Sequence, residues 1–313
     1  MTRPRIGLAL GSGSARGWAH IGVIEALVAA GIVPDIICGA SMGALVGAAH
    51  VAGRLPELRQ WADAATWRSI ARLTDLRLTG GGLISGRQIV GFLERLGIGA
   101  PIESYATHYA AVATDMATGR EIWLQSGPIN EAVRASIAIP GIFSPARLDG
   151  KWLLDGGLSN PIPVSVCRAL GADVIIAVNL NGELLGRRFT EPEPPVETQP
   201  SRLSGEVVRR VLGQFPARLP SLRRRPANDE APLVREAPRD TAPAPGYFDV
   251  LATAINIMQD HITRTRLAGE PPHVMLVPRL RSIGLMEFNR AEEAIAEGHA
   301  CVEQALPTLR RYL

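Results

Sequence analysis

A short apolar run, Ile36-Ile37-Cys38, leads into Gly39-Ala40-Ser41-Met42-Gly43 and then into Ala44-Leu45-Val46-Gly47-Ala48-Ala49, which reads as a helix. A serine at a strand-to-helix junction sits in a strained turn, and small residues two before and two after it relieve the crowding. The helix behind it aims backbone N–H groups and the positive end of its dipole at charge developing beside the hydroxyl. The pentapeptide thus asks for a strand followed at once by a helix, with a nucleophilic Ser41 at the elbow; a tight turn in an Ala/Gly-rich chain is the other reading. The same order precedes it. Ile6-Gly7-Leu8-Ala9-Leu10 reads as a strand, Gly11 to Gly17 as a glycine-rich turn, and Trp18 to Ala30 as an apolar helix ended by Gly31. Strands alternating with helices predict a parallel sheet covered on both faces.

The pattern resumes in Tyr109 to Ala113, Glu121 to Leu124 and Val174 to Val178, the last a continuous β-branched run of the kind buried on both faces. From about Glu183 to Gly246 the chain turns rich in Pro, Arg and Glu and poor in aromatics, which predicts a mobile insertion. Order is expected again from Tyr247: an amphipathic helix over Val250 to Arg266, a strand over His273 to Val277, and a closing helix over Asn289 to Leu306. With 313 residues and 46% hydrophobic content, the chain is long enough for one large domain. We expect a three-layer α/β/α fold with a mainly parallel central sheet: a motif-bearing core at 5–182, an insertion at 183–246 and a completing segment at 247–313.

The net charge is only +3, and every basic residue except Lys151 is arginine, a skew that follows composition and argues little for nucleic acid. Cys38, Cys167 and Cys301 show neither metal-ligand spacing nor a disulfide framework, as in a reducing compartment. The apolar run after Met1-Thr2-Arg3-Pro4-Arg5 stops at Gly11 and is too short for a signal h-region, and no uninterrupted apolar stretch reaches the roughly 18 residues needed to span a bilayer. A cytoplasmic protein, peripheral at most to the inner membrane surface, is expected, with neither metal nor cofactor.

Three strings carry the chemistry. Gly11-Ser12-Gly13-Ser14-Ala15-Arg16-Gly17 exposes consecutive N–H groups at a helix start, a place for a phosphate or an oxyanion. A dinucleotide site would need an acid at the end of the next strand, and that strand ends in Gly39-Ala40-Ser41 instead. Turns after successive parallel strands emerge at one edge, so the glycine turn and Ser41 should share a crevice. The third string is Leu154-Asp155-Gly156-Gly157, by itself a common turn.

In this order the three strings, with Ala15-Arg16-Gly17-Trp18-Ala19-His20-Ile21-Gly22-Val23 and Asp155-Gly156-Gly157-Leu158-Ser159-Asn160-Pro161-Ile162-Pro163, resemble bacterial members of the patatin-like phospholipase family over roughly Arg5 to Leu180. The resemblance implies a lipid acyl-ester hydrolase of phospholipase A or lysophospholipase type. Ser41 would be the nucleophile and Asp155 the general base and acid, without a histidine. The turn Ser12, Gly13, Ser14, Arg16 and Gly17 would form the oxyanion hole, flanked by Gly39, Met42 and Gly43 of the elbow and by Gly156 and Gly157. The family's three-glycine run stands here as Ser12-Gly13-Ser14, so the turn must accept a β-carbon at two places.

Two other readings stay open. A conventional α/β-hydrolase would recruit His261, His273 or His299, with Asp115 as reserve acid, while His20 and His50 read as packing residues. A regulatory or adaptor protein on a weakly active scaffold is the other. Between Arg202 and Arg225, apolar residues recur near helical spacing with Arg202, Arg209, Arg210 and Arg218 interleaved, which reads either as a basic amphipathic contact with anionic membrane or as a solvated linker. The expected partner is a phospholipid or other lipid ester, and no nucleic acid.

Overall fold

The computed structural model describes residues 3–66, 85–183 and 247–312. Eight strands form one sheet in the order β5-β6-β3-β2-β1-β7-β8, with β4 also on β3. The strands are β1 (Ile6–Leu10), β2 (Ile36–Ala40), β3 (His108–Asp115), β4 (Glu121–Leu124), β5 (Ala146–Leu148), β6 (Lys151–Asp155), β7 (Val174–Val178) and β8 (Val274–Leu276). The helices are α1 (Ala19–Ala29), α2 (Met42–Val51), α3 (Leu55–Asp63), α4 (Arg87–Arg95), α5 (Ile129–Ser136), α6 (Val164–Ala169), α7 (Tyr247–Gly269) and α8 (Ala291–Leu309).

The central strands are apolar throughout because both faces are covered. Leu8, Leu10, Ile37, Ile176 and Val178 enter a core built with α1, α2, α5 and α8. Their neighbours Ala9, Ile36, Cys38, Ile175 and Ala177 enter a second core under α6. This period-two division makes the molecule a three-layer α/β/α structure. Strands β1, β2, β3, β7 and β8 are mutually parallel.

β4 and β6 both run antiparallel to β3, and the hairpin β5–β6 is not expected from the sequence, which marks only the turn at Asp155-Gly156-Gly157. It matters for the site. β4 runs antiparallel along one edge of β3, opposite Ala111 to Thr114. β2 pairs in parallel with His108 to Val112, and β6 pairs antiparallel with Ala113 to Asp115. Ala111 and Val112 thus pair with both β2 and β4, and Ala113 and Thr114 with both β6 and β4, so β2 and β6 share the other edge of β3. Their C-terminal ends meet head-on between Val112 and Ala113.

Three boundaries also shift. The expected helix from Trp18 is a 3₁₀ turn over Ser14–Trp18 followed by α1. The amphipathic helix is longer than expected, Tyr247–Gly269, and the closing one runs to Leu309. The C-terminal segment completes the same sheet and both layers: β8 pairs with β7, and α8 lies on α1.

Candidate active site

The head-on meeting of β2 and β6 delivers Ser41 and Asp155 to one point. Ser41 follows the last residue of β2, and Asp155 is the last residue of β6. Ser41 Oγ donates to Asp155 Oδ2 at 2.7 Å, and each residue is 1% exposed. Ser41 has φ 56° and ψ −124°, a strained elbow at the N-cap of α2. Its N–H donates to Ser136 Oγ at 2.9 Å, and Ser136 Oγ donates to the Val112 carbonyl at 2.5 Å. That bridge ties the elbow to β3 and α5.

Asp155 is held from several sides. Its N–H donates to the Ala138 carbonyl at 2.9 Å, and its own carbonyl accepts from Thr114 Oγ1 at 2.8 Å. Oδ1 accepts the Gly157 N–H at 2.7 Å. Burial pushes the carboxyl up to about 7, outweighing the lowering effect of the Ser41 and Gly157 hydrogen bonds. A carboxyl so tuned can take a proton from a hydroxyl and return it near neutral pH.

The glycine turn packs against this pair through close backbone approach. A β-carbon on Gly17 would lie 2.3 Å from that of Met42, and one on Gly157 would lie 2.7 Å from Ser12 Oγ. The turn is fixed to its surroundings by Gly11 N–H to Val178 O at 3.2 Å, Ser12 N–H to Pro161 O at 2.9 Å and Ala15 N–H to Leu285 O at 3.1 Å. Among the described residues the N–H groups of Gly13 and Ser14 meet no acceptor. Free N–H groups in such a turn are able to hold an anion. Ser14 takes φ 49°, so the turn accepts its β-carbon only in the left-handed region.

Arg16 is 1% exposed, and burial lowers its guanidinium to about 10. Nη2 donates to Asn256 Oδ1 of α7 at 3.3 Å, while Nε and Nη1 have no partner among the described residues. Buried donors without a partner are rare in folded proteins.

Several residues of the site were not read from the sequence. Ser136 is one. His20, taken there as a packing residue, is fully buried and its Nε2 lies 2.7 Å from the Gly11 carbonyl. Burial lowers the ring to about 4, so the neutral imidazole carries its proton on Nε2 and donates it to Gly11. Gln259 of α7 donates to Ser12 Oγ at 3.2 Å, and Asn181 Nδ2 reaches Ser12 O at 3.4 Å and Gln259 Oε1 at 3.3 Å. These contacts cross 78 to 247 positions of chain, so no local spacing announces them.

Among the described residues no histidine hydrogen-bonds Ser41 or Asp155. His261 is exposed on α7, His273 Nδ1 accepts the Ile175 N–H at 2.9 Å, and His299 Nε2 lies 2.9 Å from Glu25 Oε2. Asp115 caps its own turn, accepting the Ala117 N–H at 2.8 Å. Arg202, Arg209, Arg210 and Arg218 lie outside the described residues. Among the described residues no helix is long and apolar enough to cross a membrane.

A family model described as patatin-like phospholipase matches residues 8–168. An uncharacterized NTE family protein of Mycobacterium tuberculosis is 39% identical over 97% of this chain and 91% of its own length. A second such protein of that organism is 29% identical over 96% of this chain and 46% of its own length. The patatin-like phospholipase domain-containing protein 7 of Rattus norvegicus is 33% identical over 58% of this chain and 14% of its own length.

Proposed function

The chain belongs to the patatin-like phospholipase family, and on that footing we propose that this lipid hydrolase cleaves acyl esters of phospholipase A or lysophospholipase type through a Ser41–Asp155 dyad. The observation that carries the reading is the 2.7 Å hydrogen bond from Ser41 to a buried carboxylate tuned to about 7.

Ser41 Oγ attacks the ester carbonyl carbon as its proton passes to Asp155 Oδ2. The carbonyl oxygen becomes an oxyanion, met by the free N–H groups of Gly13 and Ser14 and by the N-terminal end of α2. Collapse breaks the bond to the leaving alcohol, which takes the proton back from Asp155. Water then attacks the acyl-enzyme, giving its proton to Asp155, and the fatty acid leaves as Ser41 Oγ recovers a proton. His20 holds the turn by its carbonyl, and Ser136 holds the elbow by its amide. The two unpartnered nitrogens of Arg16 suit the phosphate of a phospholipid. A cytoplasmic location fits the three free thiols.

Fluorophosphonate labelling tests this. Wild type is expected to label at a rate that rises with pH through about 7, as Asp155 ionises, while Ser41→Ala and Asp155→Asn fail to label. Labelling that survives Asp155→Asn with its pH dependence intact would rule the dyad out.

A further inference from the structure

Just beyond the C-terminal end of β3, two large apolar side chains stand in solvent. Met116 N–H donates to the Trp152 carbonyl at 2.8 Å, which carries the β3–β6 pairing one residue past Asp115 and Leu153. Met116 is 57% exposed and Trp152 51%. On the far side of β6, Arg147 is the direct partner of Trp152 in the β5–β6 ladder, and its guanidinium carbon lies 5.7 Å from the indole ring centre. Residues directly opposite in a ladder share a face, so Met116, Trp152 and Arg147 form a row across three strands. Arg120, closing the β3–β4 turn, and Lys151, closing the β5–β6 turn, are exposed at the same end of these hairpins, with Lys151 on the opposite face of β6 from Trp152. Asp149 is the one acid in these two turns, and Lys151 is the only lysine of the chain.

The position of the row is as telling as its composition. Parallel strands β1, β2 and β3 all end at this edge of the sheet, which is where the glycine turn and Ser41 emerge. β6 enters from the row and reaches Asp155 after Leu153 and Leu154. Whatever covers Trp152 therefore stands on the strand that carries Asp155, at the sheet edge where Ser41 emerges.

We propose that Met116, Trp152 and Arg147, with Lys151 and Arg120, are the surface by which the protein settles on an anionic lipid bilayer. Tryptophan favours the headgroup level, where its ring is half in hydrocarbon and its N–H stays wet. Three cations, Arg147 on the ring and Lys151 and Arg120 at the same end of the hairpins, match the negative surface potential of a membrane rich in anionic lipid, each strengthening attachment roughly fivefold. Arg147 stacked on the ring keeps the indole presented rather than folded back. The hairpin would then hold the crevice mouth against the lipid that supplies its substrate. This placement rests on the lipid-ester reading of the site, yet attachment and hydrolysis are separable in experiment.

Flotation of the full chain carrying Ser41→Ala, with vesicles of phosphatidylcholine alone or mixed with phosphatidylglycerol, measures attachment without turnover. Binding is expected on the mixed vesicles, weakened by added salt. Trp152→Ser should lower it on the order of tenfold, and Lys151→Glu with Arg147→Glu should abolish it. In the chain with Ser41 intact, Trp152→Ser should leave hydrolysis of a short soluble ester unchanged, which also shows that the variant folds. Flotation that is absent from wild type, equal in Trp152→Ser, or independent of phosphatidylglycerol would overturn the inference. So would a wild-type dimer that Trp152→Ser splits, because a second copy would then cover the row. Vesicle binding without hydrolysis of any ester would leave this surface standing and sink the proposed function instead.

Discussion

Burial keeps Asp155 protonated in the folded protein up to about pH 7, whereas an unfolded chain ionises it near 3.8. Between those values the native state binds the extra proton, so stability falls as pH rises from about 4 to 7 and stays low above. The cost, fully expressed above neutrality, is on the order of 4 kcal/mol. Asp155→Asn keeps the shape and removes the charge. Its melting temperature should exceed that of wild type by several degrees at pH 8 and match it near pH 4, as measured by calorimetry. A second residue carries strain of another kind. Ser14 at φ 49° occupies a conformation that costs a β-carbon about 1 kcal/mol, and Ser14→Gly should recover that in urea unfolding while keeping its N–H and the labelling of Ser41. Ser41 and Asp155 are legible in the sequence because each lies in its own string of small residues. Ser136 and Gln259 are not, since a serine bonded to an amide 95 positions away, or a glutamine bonded to a hydroxyl 247 positions away, leaves no local trace.

At the scale of elements, β1, β2, β4 and β7 were readable and the hairpin β5–β6 was not. β1, β2 and β7 are buried at every position, so their hydrophobicity alone marks them. β5 has three residues, none of them buried, and β6 has two buried among five. Their strand character comes from pairing with β3, which is a tertiary fact. The approach of α8 to α1 is likewise invisible until the backbones meet. A β-carbon at Gly298 would lie 2.1 Å from the Ala19 carbonyl, and one at Gly22 would lie 2.0 Å from that of Ile295. Gly298→Val must push the two helices apart, and should cost about 2–3 kcal/mol in chemical unfolding.

The whole molecule is larger than the stretch that bears its motifs. The family match ends at residue 168, yet β8 closes the sheet, α7 reaches Arg16 and Ser12, and α8 covers α1. Ile295, Val302 and Leu309 of α8 belong to the main core. A chain ended after Gly182 should accordingly fail to fold, seen as lost near-ultraviolet dichroism and no fluorophosphonate labelling, even though all three motif strings remain in it. The parallel sheet, and the emergence of the glycine turn and Ser41 at one edge of it, follow from the alternation of strand and helix along the sequence. The contribution of the last segment does not, because its contacts with the site join residues 78 to 247 positions apart.

The head-on meeting of β2 and β6 has one more consequence. The hydroxyl and the carboxylate ride on two separate ladders that share a single rail, one parallel and one antiparallel. A slip of one residue in either ladder turns its side chains to the opposite face. A reagent that reacts only with the assembled pair therefore counts the molecules in which both alignments are right. Titrated against total protein, it serves as a gauge of folding fidelity for any variant of this chain, whatever lipid the enzyme acts on.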